Sequence, residues 1–134
     1  MPTLQLHVSP LPTPARCQQL AVALTELTAT LLGKRAVVTA VTITGLPAAQ
    51  WFVGATPVDQ PTAMLDITIT QGTNTGAEKA AFVAAAFAEL QHQLAYRAAL
   101  HEASYVTVRE VPATDWGYGG LTQAGRQLAL RSAA

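Results

Sequence analysis

The chain has 134 residues, with eight basic and eight acidic side chains and a formal net charge of zero at pH 7. This balance argues against a nucleic-acid footprint or a patch that binds an anionic membrane surface. Half of the residues are apolar, yet no apolar run approaches the roughly 18 residues that cross a bilayer. A chain of this length is expected to form one domain. Charged residues make up 12%, about half of the usual share, so we expect the domain to bury part of its surface in a homo-oligomer.

The amino terminus lacks the basic region, long apolar core and cleavage site of a secretory signal. Cys17 is the only cysteine, which excludes an intrachain disulfide framework. We therefore expect a cytoplasmic protein.

The first half of the chain predicts a strand, a helix and a second strand. Residues 4–8 alternate between apolar and polar side chains, as in a half-buried strand. Thr13 can cap a helix that has Pro14 in its first position, and Gly33 can end it. Leu20, Leu24, Leu27 and Leu31 form a stripe at helical spacing. β-branched residues predict the second strand over 37–44.

The second half predicts the same order of elements. A strand over 65–70 is followed by the loop QGTN and by Thr75 and Glu78, the spacing of a helix capping box. An apolar stripe carries the helix to about residue 99. A final strand is predicted over 105–111.

The two halves are copies of one unit. GLPAAQWFVGA at 45–55 and EVPATDWGYGG at 110–120 share proline, alanine, tryptophan and glycine at a constant offset of 65. We expect repeat units at about 2–60 and 61–120, with a tail over 121–134. Tandem βαβ units predict an α+β fold, in which two helices cover one face of a four-stranded sheet with parallel strands inside each unit. Self-association would cover the other face.

Four features together resemble the tautomerase superfamily, the fold of 4-oxalocrotonate tautomerase (4-OT) and macrophage migration inhibitory factor. They are Pro2 directly after Met1, the duplicated βαβ unit, the pair Gly33–Lys34 and the tail EVPATDWGYGG. The resemblance covers residues 2 to about 120 and is to the fused, double-length members. It implies a homotrimer with a pocket at each amino-terminal proline, a small carbonyl or enol acid as the partner, and no cofactor.

The resemblance makes Pro2 the general base or acid. Removal of Met1 would leave a secondary amine, and a free α-amino group has a pKa of about 7.7–8.0. Burial in an apolar pocket or a nearby cation lowers that pKa toward the working pH, where proton transfer is most effective. The alternative is that Pro2 only permits methionine removal or protects an edge strand.

Two further positions resemble pocket residues of the family. Lys34 matches a pocket lysine that could hold a substrate carboxylate, although a lysine also stabilises a helix carboxyl terminus. Tyr105 matches a pocket tyrosine whose hydroxyl could steady an enolate oxygen, or it is a half-buried strand residue. Arg109 and Thr107 lie on the same strand face as Tyr105, and Arg109 either binds a carboxylate or is solvated at the strand end.

The remaining site residues follow from the same resemblance. Ile69 and Thr70 end a strand that borders the pocket in relatives. Trp116 could form an apolar pocket wall, and a trimer interface is the alternative for both Trp116 and its repeat partner Trp51. No metal is expected, because the three histidines lack metal-ligand spacing and an acidic cluster.

The sequence also departs from parts of the family. Thr70 and Thr73 stand where the dehalogenases use an arginine pair, so dehalogenation is not expected. Asp115 matches a tail aspartate of malonate semialdehyde decarboxylase. The function we expect is keto–enol tautomerisation of a small 2-oxo acid. A non-catalytic trimeric binding protein and a related decarboxylase are the alternatives.

Overall fold

A computed structural model describes residues 2–133. In chain order its elements are β1 (Thr3–Ser9), α1 (Pro14–Leu32), β2 (Ala40–Gly45), β3 (Phe52–Val53), β4 (Thr56–Pro57), β5 (Thr62–Thr70), α2 (Gly76–Leu94), β6 (Tyr105–Val111), β7 (Gly117–Tyr118), β8 (Leu121–Thr122) and α3 (Gln123–Ala133). The main sheet has the order β2–β1–β5–β6. β1 and β2 are parallel, β5 and β6 are parallel, and the central pair β1–β5 is antiparallel. The predicted α+β fold is confirmed.

α1 and α2 both contain 19 residues and begin at the predicted caps. The Thr13 hydroxyl accepts a hydrogen bond from the backbone N–H of Arg16, at 3.1 Å. Thr75 and Glu78 form the complete capping box, with reciprocal bonds of 2.8 and 3.1 Å. Gly33 ends α1 at a φ of 68°, a left-handed conformation that favours glycine.

Three predicted boundaries are wrong. β5 begins at Thr62 rather than at residue 65. α2 ends at Leu94 rather than near residue 99, since Arg97 adopts a φ of 65° and the chain turns there so that Ala95 and Leu100 both pack into the core. The second strand begins at Ala40 rather than at residue 37. The preceding residues form a 3-10 turn, Ala36–Val38, in which the Thr39 hydroxyl donates to the Arg35 carbonyl at 2.7 Å; such local bonds compete with strand pairing.

The core lies between one face of the sheet and the two long helices. Its fully buried side chains alternate along β1 and β5 and meet the apolar stripes of α1 and α2. They include Leu4, Leu6, Leu65, Ile67, Leu20, Leu24, Phe82 and Leu90. Within residues 2–133 no helix packs on the opposite sheet face, which is largely exposed and polar, with Gln5, His7 and Thr107 among its residues.

The structure adds two short hairpins that the sequence pattern did not predict, β3–β4 and β7–β8. They preserve the repeat offset of 65. Trp51 accepts a backbone bond from Val58, at 3.0 Å, and its counterpart Trp116 accepts one from Gln123, at 2.9 Å. Both turns have two successive residues at positive φ, as two-residue hairpin loops of type I′ require. The correspondence extends to Gln123, three positions beyond Gly120.

Thr75→Ala is expected to lower the free energy of unfolding by about 1 kcal/mol, because the N–H of Glu78 loses its cap while the rest of α2 is unchanged. Thr30→Ala, at an exposed position inside α1, is the control and should stay within about 0.5 kcal/mol of the wild type. Urea unfolding at one protein concentration measures both. Equal losses in the two variants would contradict the capping role.

Candidate active site

Pro2 is buried and lies immediately before β1. Its carbonyl accepts a hydrogen bond from the backbone N–H of Ala40 at 3.3 Å, which ties it to the first residue of β2. Thr3 is opposite Thr68 of β5, so Pro2 lies beside the carboxyl end of that strand. Because β6 is parallel to β5, the carboxyl end of β6 reaches the same end of the sheet.

Lys34 lies at this Pro2 end. Its ammonium donates to the hydroxyl of Thr73 at 2.8 Å, and that hydroxyl donates to the Thr70 carbonyl at 2.6 Å. These bonds connect the end of α1 to the end of β5. The Lys34 side chain is thus directed to the loop between β5 and α2. Its partner Thr73 is one of the two threonines that the resemblance aligns with the arginine pair of the dehalogenases.

Two glutamates set the electrostatics around Lys34. Burial lowers the pKa of the Lys34 ammonium below its usual 10.5, and the charges of Glu78 and Glu110 oppose that shift. Hydrogen bonds from Lys79 and from the N–H of Gly72, the latter at 3.0 Å, lower the pKa of the Glu110 carboxyl. The Pro2 end is therefore a mixed cluster of charges in which lysines and glutamates offset one another.

The Glu110 carboxylate should contribute to stability in a pH-dependent way. Its folded-state pKa is depressed, so its contribution is present above the unfolded value of about 4.3 and is lost as the pH falls through the folded-state value. Glu110→Gln should therefore lose less unfolding free energy than the wild type as the pH falls from about 5 to 3.

Urea unfolding at a series of pH values measures this difference. Glu26→Gln, at an exposed position of α1, controls for the removal of one surface carboxylate. An acid-induced loss in Glu110→Gln equal to that in the Glu26→Gln control would contradict a native-state role for the contact with Lys79.

Arg109 and Tyr105, two predicted site residues of β6, lie toward opposite ends of that strand. Arg109 is opposite Thr68, so it lies at the Pro2 end, where its guanidinium is 3.6 Å from the Asp66 carboxylate. Tyr105 is opposite Met64, which is opposite His7, five residues along β1 from Pro2. At about 3.4 Å per residue this places Tyr105 roughly 17 Å from Pro2 along the sheet. Within one chain the structure does not bring Tyr105 to Pro2.

The other predicted site residues lie in different environments. Thr107 is exposed in the middle of β6, beside Asp66. Ile69 is 1% exposed with its side chain in the core, whereas Thr70 contributes its carbonyl to the bond with Thr73. Trp116 borders a cavity of about 280 Å³ at the hairpin β7–β8, and its indole N–H is buried without a partner among residues 2–133.

Several charged residues toward the Pro2 end were not singled out from the sequence. Lys79 and Glu110 form an ion pair there. Arg35 and Arg126 line one pocket together with Tyr118. The sequence did carry a signal for the helix that contains Arg126, because the tail is rich in alanine, glutamine and leucine and Thr122 is a residue type that caps helices. In the structure the Thr122 hydroxyl accepts a hydrogen bond from the N–H of Gly125 at 2.9 Å.

Two kinds of feature are absent from the described part of the chain. Residues 2–133 contain no group of three or more His, Cys, Asp or Glu side chains placed to hold a metal ion. Over the same residues, no helix is both long and apolar enough to cross a membrane.

Comparison with known proteins finds relatives by structure alone. No family model matches the chain, and no curated protein matches it. A native fused 4-OT is 27% identical, with a TM-score of 0.77 over 95% of this chain and 98% of that one. An asymmetric fused 4-OT trimer, F6, is 26% identical, with a TM-score of 0.79 over 94% and 98%. Macrophage migration inhibitory factor of Toxoplasma gondii is 21% identical, with a TM-score of 0.73 over 90% and 98%.

These similarities confirm the resemblance inferred from the sequence. The chain has the fold of the fused, double-length members of the tautomerase superfamily.

Proposed function

We propose that the chain is a cofactor-independent tautomerase that transfers a proton between carbon and oxygen of a small 2-oxo acid or its enol. The observation that carries the proposal is the position of Pro2. It is buried beside the carboxyl ends of β5 and β6, and it lies at the same end of the sheet as Lys34 and Arg109. The fold is that of fused 4-OT proteins.

In the proposed reaction the free amine of Pro2 is the base. Burial disfavours the charged ammonium and lowers its pKa, which makes more of the neutral amine available near pH 7. The amine takes the proton from the enol oxygen, the oxygen-bearing carbon becomes the carbonyl, and the amine returns the proton to the other carbon of the former C=C bond. Lys34 or Arg109 holds the carboxylate, and both are cations at this end of the sheet.

The enolate oxygen needs a hydrogen-bond donor, and the proposed donor is the Tyr105 hydroxyl. Since Tyr105 of the same chain lies near the far end of β6, the donor must come from a neighbouring chain. The exposed, helix-free face of the sheet is the surface on which such a neighbour would pack. A homotrimer is the proposed assembly, in line with the trimeric fused 4-OT structures. Sedimentation should give three times the 14.0 kDa chain mass.

The intact mass of protein made without an amino-terminal tag is the first test. A mass that lacks one methionine establishes the free amine, whereas a retained methionine removes the base and favours the binding-protein alternative. Ketonisation of an enolpyruvate should then rise with pH through the pKa of that amine. Trimers that turn over none of the enols tested would also favour the non-catalytic alternative.

An electrophilic probe tests the amine independently of turnover. One structurally similar protein, Pt0534, is described as inactivated by 2-oxo-3-pentynoate. An alkynyl ketone of this kind adds to a neutral amine, so peptide mapping should find a single adduct on the peptide that begins at Pro2. Labelling of lysines alone would contradict a reactive prolyl amine.

The decarboxylase alternative rests on Asp115. Its carboxylate accepts a hydrogen bond from the Thr114 hydroxyl at 2.8 Å, and the residue is exposed beside the Trp116 cavity. Release of carbon dioxide from a 3-oxo acid, lost in Asp115→Asn and retained in Thr114→Val, would favour that alternative.

A further inference from the structure

A pocket of about 240 Å³ between α3, the hairpin β7–β8 and Arg35 contains two arginines. We call it the arginine pocket. Apart from Arg35 and Arg126, the residues that line it are apolar or aromatic: Tyr118, Leu121, Ala129 and Leu130. Arg35 follows Lys34, so the pocket lies toward the Pro2 end of the molecule, but Pro2, Lys34 and Arg109 do not line it.

Arg126 is held in place by contacts on the hairpin. Its guanidinium carbon lies 3.7 Å from the centroid of the Tyr118 ring, within the range of a cation–π contact. One terminal nitrogen donates to the Tyr118 carbonyl at 2.9 Å. Gly119 leaves the room for this arrangement, since a Cβ there would lie 2.7 Å from the same nitrogen. The guanidinium is thus preorganised before any ligand arrives.

No carboxylate of residues 2–133 forms an ion pair with either arginine of the arginine pocket. Within the described chain, the ion pairs are Lys79–Glu110 and Arg109–Asp66, and neither Arg35 nor Arg126 takes part in one. The Nε–H of Arg126 is also buried without a hydrogen-bond acceptor in residues 2–133. A guanidinium has five N–H donors, and a donor or charge left unpaired beside apolar walls is unfavourable. An anion in the pocket would neutralise this charge through the terminal guanidinium nitrogens.

We propose that the arginine pocket binds a small organic monocarboxylate that carries an apolar substituent. The planar fork of a guanidinium matches a carboxylate, which would lie against Arg126 with Arg35 beside it. The substituent would contact Leu121 and Leu130. The volume is below the 300–1,000 Å³ typical of drug-sized ligands, which selects a small acid. The inference goes beyond the proposed function, because it requires no chemistry at Pro2.

Calorimetric titration with 3-phenylpropionate tests the proposal on the full chain. We expect binding at millimolar or lower concentration, at least tenfold weaker binding in Arg126→Gln, and a smaller loss in Arg35→Gln because that residue is exposed. Arg126→Lys keeps the charge but not the fork and should also lose affinity. 3-Phenylpropanamide and inorganic phosphate, which lack the carboxylate and the apolar group respectively, should bind more weakly than the acid.

Two glycine variants provide a matched control for the position of the guanidinium. Gly54 and Gly119 are equivalent turn residues with φ values of 59° and 61°, so alanine causes similar backbone strain at both. Only at Gly119 would the new methyl group meet Arg126. We expect Gly119→Ala to weaken binding of 3-phenylpropionate and Gly54→Ala to leave it unchanged.

The outcomes separate this proposal from the proposed function. A chain whose Pro2 nitrogen is acylated should be inactive yet bind 3-phenylpropionate with wild-type affinity. Undetectable binding by the wild type, or wild-type affinity in Arg126→Gln, would overturn the arginine pocket whatever the activity of Pro2. Phosphate binding as tightly as the acid would overturn the apolar part of the assignment.

Discussion

Placing one additional residue before Pro2, so that its nitrogen becomes an amide, is expected to lower kcat/KM for enol ketonisation by about 10²–10⁴-fold. An amide nitrogen has no basic lone pair, so the variant lacks the proposed base while keeping the proline ring at the start of β1. The loss corresponds to roughly 3–5 kcal/mol of transition-state free energy. Initial rates against substrate concentration measure it.

Two variants control this experiment. The same residue added after the last residue of the chain should leave kcat/KM unchanged. Pro2→Ala keeps a primary amine once methionine is removed, and it should lose less activity than the acylated chain while showing a shifted pH dependence. The assembly state of each variant is compared by sedimentation. Full activity in the acylated chain would exclude Pro2 as the base.

The pH profile separates a chemical role of Pro2 from a structural one. A base mechanism requires kcat/KM to rise with pH as the free amine loses its proton. Burial of Pro2 should move that rise below the 7.7–8.0 of an ordinary α-amino group. If Pro2 only shapes the end of the sheet, Pro2→Ala would change the rate without moving the midpoint of the pH profile.

The elements that local patterns specify were predicted well from the sequence. The caps at Thr13 and Thr75, the glycine that ends α1 and the bounds of β6 all match, because capping and alternation are decided within a few residues. The end of α2 was not predicted correctly, because the packing of Leu100 into the core decides where the helix stops. The two-residue strands of the hairpins are too short to show a period.

The site was predictable only in part, for reasons of topology. Lys34 lies at the Pro2 end because the chain must leave α1 there before it enters β2, and its role in a pocket stays a prediction. The separation of Tyr105 from Pro2 follows from the antiparallel pairing of β1 with β5, which no short motif encodes. Arg35 and Arg126 are far apart in sequence and line one pocket because the tail folds back as α3.

Phe82→Ala is expected to destabilise the chain by about 3–5 kcal/mol, a large share of the 5–15 kcal/mol typical of folded domains. Phe82 is fully buried on α2 and belongs to the core cluster between the helices and the sheet. Its removal forfeits the transfer free energy of the ring and leaves a cavity that the strands of the sheet cannot close, because their register is fixed by hydrogen bonds.

The neighbouring residue offers a matched control for this substitution. Val83 is 37% exposed on the next position of α2, so Val83→Ala should change stability by only about 0.5 kcal/mol. Urea unfolding must be compared at one protein concentration, since the stability of an oligomer depends on it. If Phe82→Ala does not accumulate, Phe82→Leu retains most of the volume and should show a smaller loss. Similar losses in Phe82→Ala and Val83→Ala would contradict the placement of Phe82 at the centre of the core.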